Sequence, residues 1–398
     1  MSRRVLTAAI AYAVVLGAVL LLTVILPATG AFSAPALPVD SGAIREGRVV
    51  EVLSVEVQET QVGAVHRSQV VVRIAGEDVT IDHVYVEGGV DAIELVPGDR
   101  VLVSELTNRD GTTYLIKDRV RRTSLWALSL VFALLVVAVG GRQGALSLVG
   151  LGITFLVLVR FIVPAILDGW APLPTAIAGS LVILASAMVV GHGPNPKTWI
   201  AVGGTAVSLL LTGLLAVFAV GFVRLTGVGE EGAATLQVLT LGSIDARGLL
   251  LAGIIIGALG VLDDVTTTQS STVIELRRAN PSLGTPQLFA RAMNVGRDHI
   301  AATTNTLVLA YAGASLPLLL IYAGQPHPFG ILISYDQLAT EIVRTLAGSI
   351  GIVAAVPVTT ALAAVLVGSG FVTPDPDEDG DTHAGHVHGG TPGGPLGG

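Results

Sequence analysis

No cysteine occurs in the 398 residues. Disulfides, iron–sulfur clusters and thiolate catalysis are therefore excluded. Charge is scarce as well: 22 Lys+Arg and 30 Asp+Glu make up 13% of the chain, against roughly 25% in a soluble domain. Aromatic residues reach only 5%, and lysine occurs only at Lys117 and Lys197. No G-x-x-x-x-G-K-[ST] run is present, so nothing points to direct ATP use by this chain. What the sequence has in abundance is apolar and small residues. The hydrophobic fraction is 52%, glycine numbers 48, and the mean hydropathy is +0.74. That composition excludes a soluble enzyme, a disordered chain and a basic nucleic-acid binder, and predicts an integral membrane protein that partners the lipid bilayer.

The charges fall into zones. Residues 27–122 carry 10 basic and 15 acidic groups, an ordinary water-soluble balance. Residues 123–372 carry 10 of each over a stretch more than twice as long. Residues 373–398 carry 5 acidic groups, no basic ones and 3 of the 8 histidines. Four segments follow: an anchor at 1–26, a soluble insert at 40–122, a membrane domain at 123–370 and a tail at 371–398.

Residues 5–26, behind Arg3 and Arg4, are apolar or small throughout. At ~1.5 Å per residue they span the ~30 Å hydrocarbon core. They are longer than a secretory h-region of roughly 7–15 residues, so an uncleaved anchor is predicted. Between 45 and 120 the period changes to two. REGRVVEVLSVEVQE, SQVVVRIAGEDVTIDHVYV and DRVLVSELTNRDGTTYLIKDRV alternate apolar and polar residues, the mark of half-buried strands. Gly76, Gly88-Gly89, Pro97-Gly98-Asp99 and Asn108-Arg109-Asp110-Gly111 punctuate them. Five or six short strands predict a small antiparallel β-barrel of the OB or SH3-like sort. It shows no aromatic stacking platform and no basic stripe, so a spacer or partner-docking role is the expectation.

From Leu125 onward seven further apolar runs are legible, near 125–140, 144–163, 173–191, 198–222, 247–267, 300–323 and 340–368. With the anchor they predict about eight transmembrane helices, hence a mainly α membrane protein. The segment 226–246 is too polar to span and predicts a short surface or re-entrant helix. The positive-inside rule puts the N-terminus and tail in the cytoplasm and the β domain outside. Arg119, Arg121 and Arg122 run against it, but they belong to a folded insert.

Ionisable groups inside a span cost at least ~2.5–3.5 kcal/mol each and mark candidate sites. They concentrate in LLLAGIIIGALGVLDDVTTTQSSTVIELRRANP. Asp264, Thr268, Ser271 and Glu275 recur at helical spacing and share one face, while Asp263 points about 100° away. The next span opens RAMNVGRDHIAATTNTLVLAYAG, with Arg297 and Asp298 at its end and Asn305 two turns on. A hairpin centred near residue 284 or 285 puts Asp264 level with Asn305. An amide suits a carboxylate in either protonation state, and Arg297 offers a counter-charge. The candidate ion or substrate site is therefore Asp263, Asp264, Thr268, Ser271, Glu275, Arg297, Asp298 and Asn305. The same residues also suit helix ends in the headgroup zone. A hydrolytic pair is the weaker alternative, since adjacent aspartates on one helix do not face each other. Glu341 and Arg344 sit three apart and are expected to pair; Pro357 is expected to kink the last span. The tail DPDEDGDTHAGHVHGGTPGGPLGG predicts disorder. His383, His386 and His388 beside its aspartates suit a weakly held divalent metal such as Zn²⁺, Ni²⁺ or Cu²⁺. No other cofactor is indicated.

The stretch from Leu249 to Tyr322 resembles the YibE/F-like family of bacterial membrane proteins. The residues that carry it are GALGVLDDVTTTQSS at 257–271, ELRRANP at 275–281, GRDHIAATTNTLVLAYAGASLPLL at 296–319 and EIVRTLAGSIG at 341–351. Asp264, Glu275, Asn280-Pro281, Gly296-Arg297-Asp298 and Asn305-Thr306-Leu307 stand where the family pattern has them. The likeness extends more loosely over about 123–370 and includes an insert after a first anchor; the histidine-rich tail lies outside it. It implies a multi-pass protein of the bacterial plasma membrane and no particular reaction. Two functions fit the residues. One is a secondary transporter whose Asp/Asn cluster handles a coupling cation. The other is a scaffold or envelope-assembly protein whose β domain, 40–122, docks a partner.

Overall fold

A computed structural model of the chain describes residues 3–32, 42–60, 63–87, 89, 93–108, 111–229 and 231–370. It is mostly helical, with one antiparallel sheet. The chain divides into two compact units, Ala36–Gly144 on the one hand and Met1–Pro35 with Ala145–Gly398 on the other.

Alternation over 43–119 produces five strands: β1 (Ala43–Thr60), β2 (Gly63–Ile74), β3 (Glu77–Val86), β4 (Arg100–Asn108) and β5 (Gly111–Arg119). Their order is β3-β2-β1-β4-β5, every pair antiparallel. Ala75 and Gly76 both have positive φ, at 51° and 98°, the backbone that a two-residue hairpin needs. Register shifts at Val49/Glu51 and Val52/Ser54 on β1 are bulges that bend the strand. The long β1 pairs with β2 from Gly47 onward and with β4 through its first six residues. One face buries Val49, Val70, Val72, Ile81, Val101 and Val103. The expected closed barrel is met by this sheet order without a ladder between β3 and β5 among the described residues.

Among the described residues, twelve α-helices and two π-type turns flank that insert in sequence. The first apolar run gives α1 (Arg3–Leu20), a π-type turn (Leu21–Ile25) and α2 (Leu26–Ala28). After the sheet come α3 (Arg122–Val157), a second π-type turn (Leu158–Ile162) and α4 (Val163–Leu167). Then follow α5 (Pro172–His192), α6 (Pro196–Val223), α7 (Glu231–Leu239), α8 (Ala246–Ala279), α9 (Thr285–Ala314), α10 (Leu316–Ala323), α11 (Phe329–Leu332) and α12 (Asp336–Gly368). Prolines open α5 and α6, and Asn195 caps α6 by accepting from the Thr198 N–H at 2.9 Å. The short α7 lies in the segment read as too polar to span.

Six of these stretches are long and apolar enough to cross a membrane, and a seventh follows if the pair α9 and α10, bent by 67°, is one crossing. The sequence count of eight differs in one place. Residues Arg122–Leu167 run on for 46 residues, about 69 Å if straight. GGRQG there makes no loop; it makes a kink at Gly141, with φ 54° and ψ −135°. The bend between α9 and α10 falls at Ser315, just before Pro317, whose ring and missing N–H interrupt the helix.

Small residues set the packing of the helical unit. A Cβ at Gly204 of α6 would lie 2.5 Å from Thr359 Oγ1 of α12, and one at Gly351 of α12 would lie closer still to Thr212 of α6. As one number rises the other falls, so the two helices are antiparallel. Gly296 against Val356 and Gly348 against Leu307 give α9 the same relation to α12. Thr205 with Thr266, and Gly213 against Ile255, give it to α6 and α8. The core between them holds Leu209, Ile255, Leu262, Ile352 and Val356, all essentially inaccessible.

Candidate functional site

The tight turn Asn280–Gly284 joins α8 to α9. Asn280 Oδ1 accepts from the Ser282 N–H at 3.0 Å, and Gly284 is the N-cap of α9. The hairpin is therefore centred near residue 282, two to three residues earlier than the spacing suggests. That shift changes which side chains meet. Asp264 lies level with His299, not Asn305: His299 Nε2 is 3.8 Å from Asp264 Oδ2. The distance is an ion-pair contact, too long for a hydrogen bond. The Asp264 side chain is 72% exposed and that of His299 27%. His299 stands just before the apolar run at 300–323, and the loop length hid its partner from sequence spacing.

Asp263 behaves differently from its neighbour. Its Oδ1 is buried and has no hydrogen-bond partner. Its main-chain carbonyl accepts from Thr266 Oγ1 at 3.2 Å. The other sequence candidates disperse. Ser271 donates to the Thr267 carbonyl at 2.7 Å, and the Thr268 carbonyl accepts from Thr272 at 2.8 Å. Glu275 accepts from Arg278 at 2.8 Å on the exposed side of α8. Arg297 donates to Asn294 at 3.1 Å, and among the described residues no ion pair joins it to Asp264. Asp298 and Asn305 are exposed, and among the described residues no hydrogen bond or ion pair joins either to Asp264. His383, His386 and His388 lie outside the described residues.

Within two turns beyond Asp263 the helix carries polar groups that composition did not flag. Gln269 is wholly buried. Its Oε1 accepts from Thr360 Oγ1 of α12 at 2.9 Å, while its Nε2 has no partner. Gly296 of α9 makes room for it: a Cβ there would sit 3.2 Å from both amide atoms. Thr205 of α6 and Thr266 of α8 share a hydrogen bond, both fully buried. Ser208 and Thr212 continue the row along α6, each donating to the carbonyl four residues back. Thr359 Oγ1 and Ser349 Oγ of α12 are buried without partners. Together these form a polar seam between α6, α8, α9 and α12, with the Asp263/Asp264/His299 group near it along α8. Such threonines and serines read as apolar filler in a hydropathy window, which is why the sequence concealed them.

A second polar knot lies toward the start of α12. Glu341 and Arg344 do pair, at 3.6 Å. Ser315, at the α9–α10 bend, donates to Glu341 at 3.0 Å. Asp336 accepts from Thr226 Oγ1 at 2.7 Å and Tyr322 donates to Gln337 at 3.1 Å. These bonds fix the loops and the bend.

Among the described residues no cluster of three His, Cys, Asp or Glu could hold a metal ion. Chemically, the α8–α9 group offers a carboxylate without partner, a carboxylate–imidazole contact and a run of hydroxyls. The sequence model of the family described as YibE/F-like protein matches residues 128–369. No curated protein and no solved structure matches the chain.

Proposed function

The chain belongs to the YibE/F-like family, and from that premise we propose that it is a multi-pass protein of the bacterial plasma membrane that moves a small solute as a secondary transporter. The helical unit supports a bilayer setting. Leu214, Phe218 and Phe222 of α6 are 66–78% exposed, while the hydroxyls of the same helix are buried. Counting the two arms of Arg122–Leu167 separately, and α9 with α10 as one, gives eight crossings. The N-terminus and tail are then cytoplasmic and the sheet external, where its order, together with the approach of β3 to β5, suits an OB-like barrel.

The observation that carries the transport reading is the buried, unpartnered Oδ1 of Asp263, next in sequence to the Asp264–His299 contact. Burying a carboxylate without a partner is costly. Such a group persists where a proton or cation visits it. Asp263 and Asp264 are the proposed coupling residues, with His299 as partner of Asp264. Thr268, Ser271 and the buried Gln269 supply oxygens and an amide along the route. Glu275, Arg297, Asp298 and Asn305 line its exposed approach. The test is proton flux in proteoliposomes read by an internal pH dye. Wild type should acidify the lumen under an imposed gradient, and Asp263→Asn and Asp264→Asn should each cut the flux at least tenfold. Equal flux in both variants sinks the assignment.

A second reading, a scaffold, draws on a different observation. The far half of the β1–β2 hairpin exposes Leu53, Val55 and Val57, each more than half accessible. A photo-crosslinker at Val55 in the full-length protein should capture one discrete envelope partner under this reading. Capture of lipid alone, or of nothing, counts against it.

A further inference from the structure

Strand register brings together three arginines that are far apart in sequence. Arg48 of β1 lies directly opposite Arg73 of β2 and directly opposite Arg100 of β4. The three project from one face of the sheet, because Val49, Val72 and Val101, next along each strand, are buried on the other. With strands ~4.8 Å apart, the row spans about 10 Å. Like charges directly opposite each other destabilise a sheet, so the row needs compensation. Two of its members have it. Arg73 donates to both oxygens of Asp78, at 2.7 and 2.9 Å. Arg100 donates to Glu46 at 2.8 Å, a carboxylate that Arg122 also draws on at 3.2 Å. Asp118, two positions along, is taken by Arg121 at 2.6 Å. Arg48, in the middle, is exposed and has no acid within ion-pair distance among the described residues. Glu46, Gly47, Arg48, Arg73 and Arg100 line a shallow, open depression of about 350 Å³ there.

We propose that this face binds a phosphate-type oxyanion, held centrally by Arg48 and flanked by Arg73 and Arg100. The chemistry favours phosphate over a single carboxylate. A guanidinium presents a planar fork that meets two phosphate oxygens at once. The free fork of Arg48, with the donors that Arg73 and Arg100 do not spend on Asp78 and Glu46, forms a row about 10 Å long and suits a group whose charge is spread over several oxygens, such as a diphosphate, a phosphomonoester or a lipid phosphate headgroup. The inference stands apart from the transport reading, because it uses no residue of the helical unit. It also corrects the expectation that this domain has no basic stripe. The stripe exists, but it runs across strands and not along the chain.

The test uses the full-length protein in nanodiscs of neutral phosphatidylcholine, titrated calorimetrically with inorganic pyrophosphate. Saturable binding is expected, weakening as salt rises and falling at least tenfold in Arg48→Gln. Arg48→Lys, which keeps the charge and loses the fork, should fall between the two. A parallel titration in phosphatidylglycerol nanodiscs separates the sources. Loss of pyrophosphate binding there means that a lipid headgroup occupies the row; unchanged binding means that a free phosphate compound does. Absence of saturable binding in neutral nanodiscs, or wild-type binding by both folded variants, overturns the proposal.

Discussion

The two units solve the placement of polar groups in opposite ways. In the sheet unit, apolar residues such as Val70, Val72 and Val101 are inside, and the charged ones stand outside in pairs: Arg73 with Asp78, Arg100 with Glu46, Arg121 with Asp118. In the helical unit, Phe218, Phe222 and Leu214 stand outside, and Thr205, Ser208, Thr266, Gln269 and Thr360 are sealed within. An exposed pair contributes little because water competes for both partners. A buried amide or hydroxyl must find a partner inside or lose the solvation it left behind. Polar substitutions should therefore be cheap in the sheet and expensive in the helices, and the orphaned atoms of the helical unit should be the ones with work to perform.

The largest effect should come from packing. Gly204→Ala drives a Cβ into Thr359 at the α6–α12 contact and should destabilise the helical unit by about 1–3 kcal/mol. Thermal unfolding in detergent micelles reads this as a lower midpoint, recovered in part by adding Thr359→Ala. A Gly204→Ala protein with an unchanged midpoint would break the account of that interface. Next comes the seam. Thr360→Val strips Gln269 Oε1 of its only donor among the described residues and should cost about 1–3 kcal/mol. Removing both polar partners, in Thr360→Val with Gln269→Leu, should cost less than the single change, because no buried group is then left unmatched. If the double variant is worse, the amide is held by something other than Thr360.

Acid should touch the sheet more gently. Hydrogen bonds from the Arg73 guanidinium hold the Asp78 carboxyl below the usual carboxylate range. Those from Arg121 and the Arg119 N–H do the same for Asp118. A lowered folded value means that the contribution is fully present above the ordinary unfolded value of ~3.9, and is lost as pH falls through the folded one. The opening free energy read from hydrogen exchange of β2 and β3 amides, after correction for the intrinsic pH dependence of exchange, should thus be flat from neutral pH to about 5 and fall only below about 4. Asp78→Asn should remove part of that acid sensitivity. The seam hydroxyls and amide do not titrate, so their variants should show no matching acid transition.

Much of this was legible in the sequence, and the rest was hidden for physical reasons. Period-two alternation located the five strands, although beyond Val52 the side chains of β1 are exposed on both faces. The GGRQG break located the kink at Gly141, because only a glycine adopts that backbone freely. Pairing between elements was harder. The row Arg73–Arg48–Arg100 depends on cross-strand register, which the bulges on β1 set and no local spacing records. The partner of Asp264 depends on a turn ending at Gly284; placing its centre two to three residues late exchanged His299 for Asn305. The seam escaped because its residues are uncharged and its cross-helix pairs, Thr205–Thr266 and Gln269–Thr360, join positions far apart in sequence.

The most direct test of the central claim compares cellular contents. Elements and metabolites are measured in cells lacking the protein, in cells restored with wild type, and in cells restored with Asp263→Asn or Asp264→Asn at equal membrane abundance. The account predicts at least one small solute whose level shifts on deletion, returns with wild type, and fails to return with either variant. Contents that are identical in all four strains, or restored equally by the variants, would contradict it.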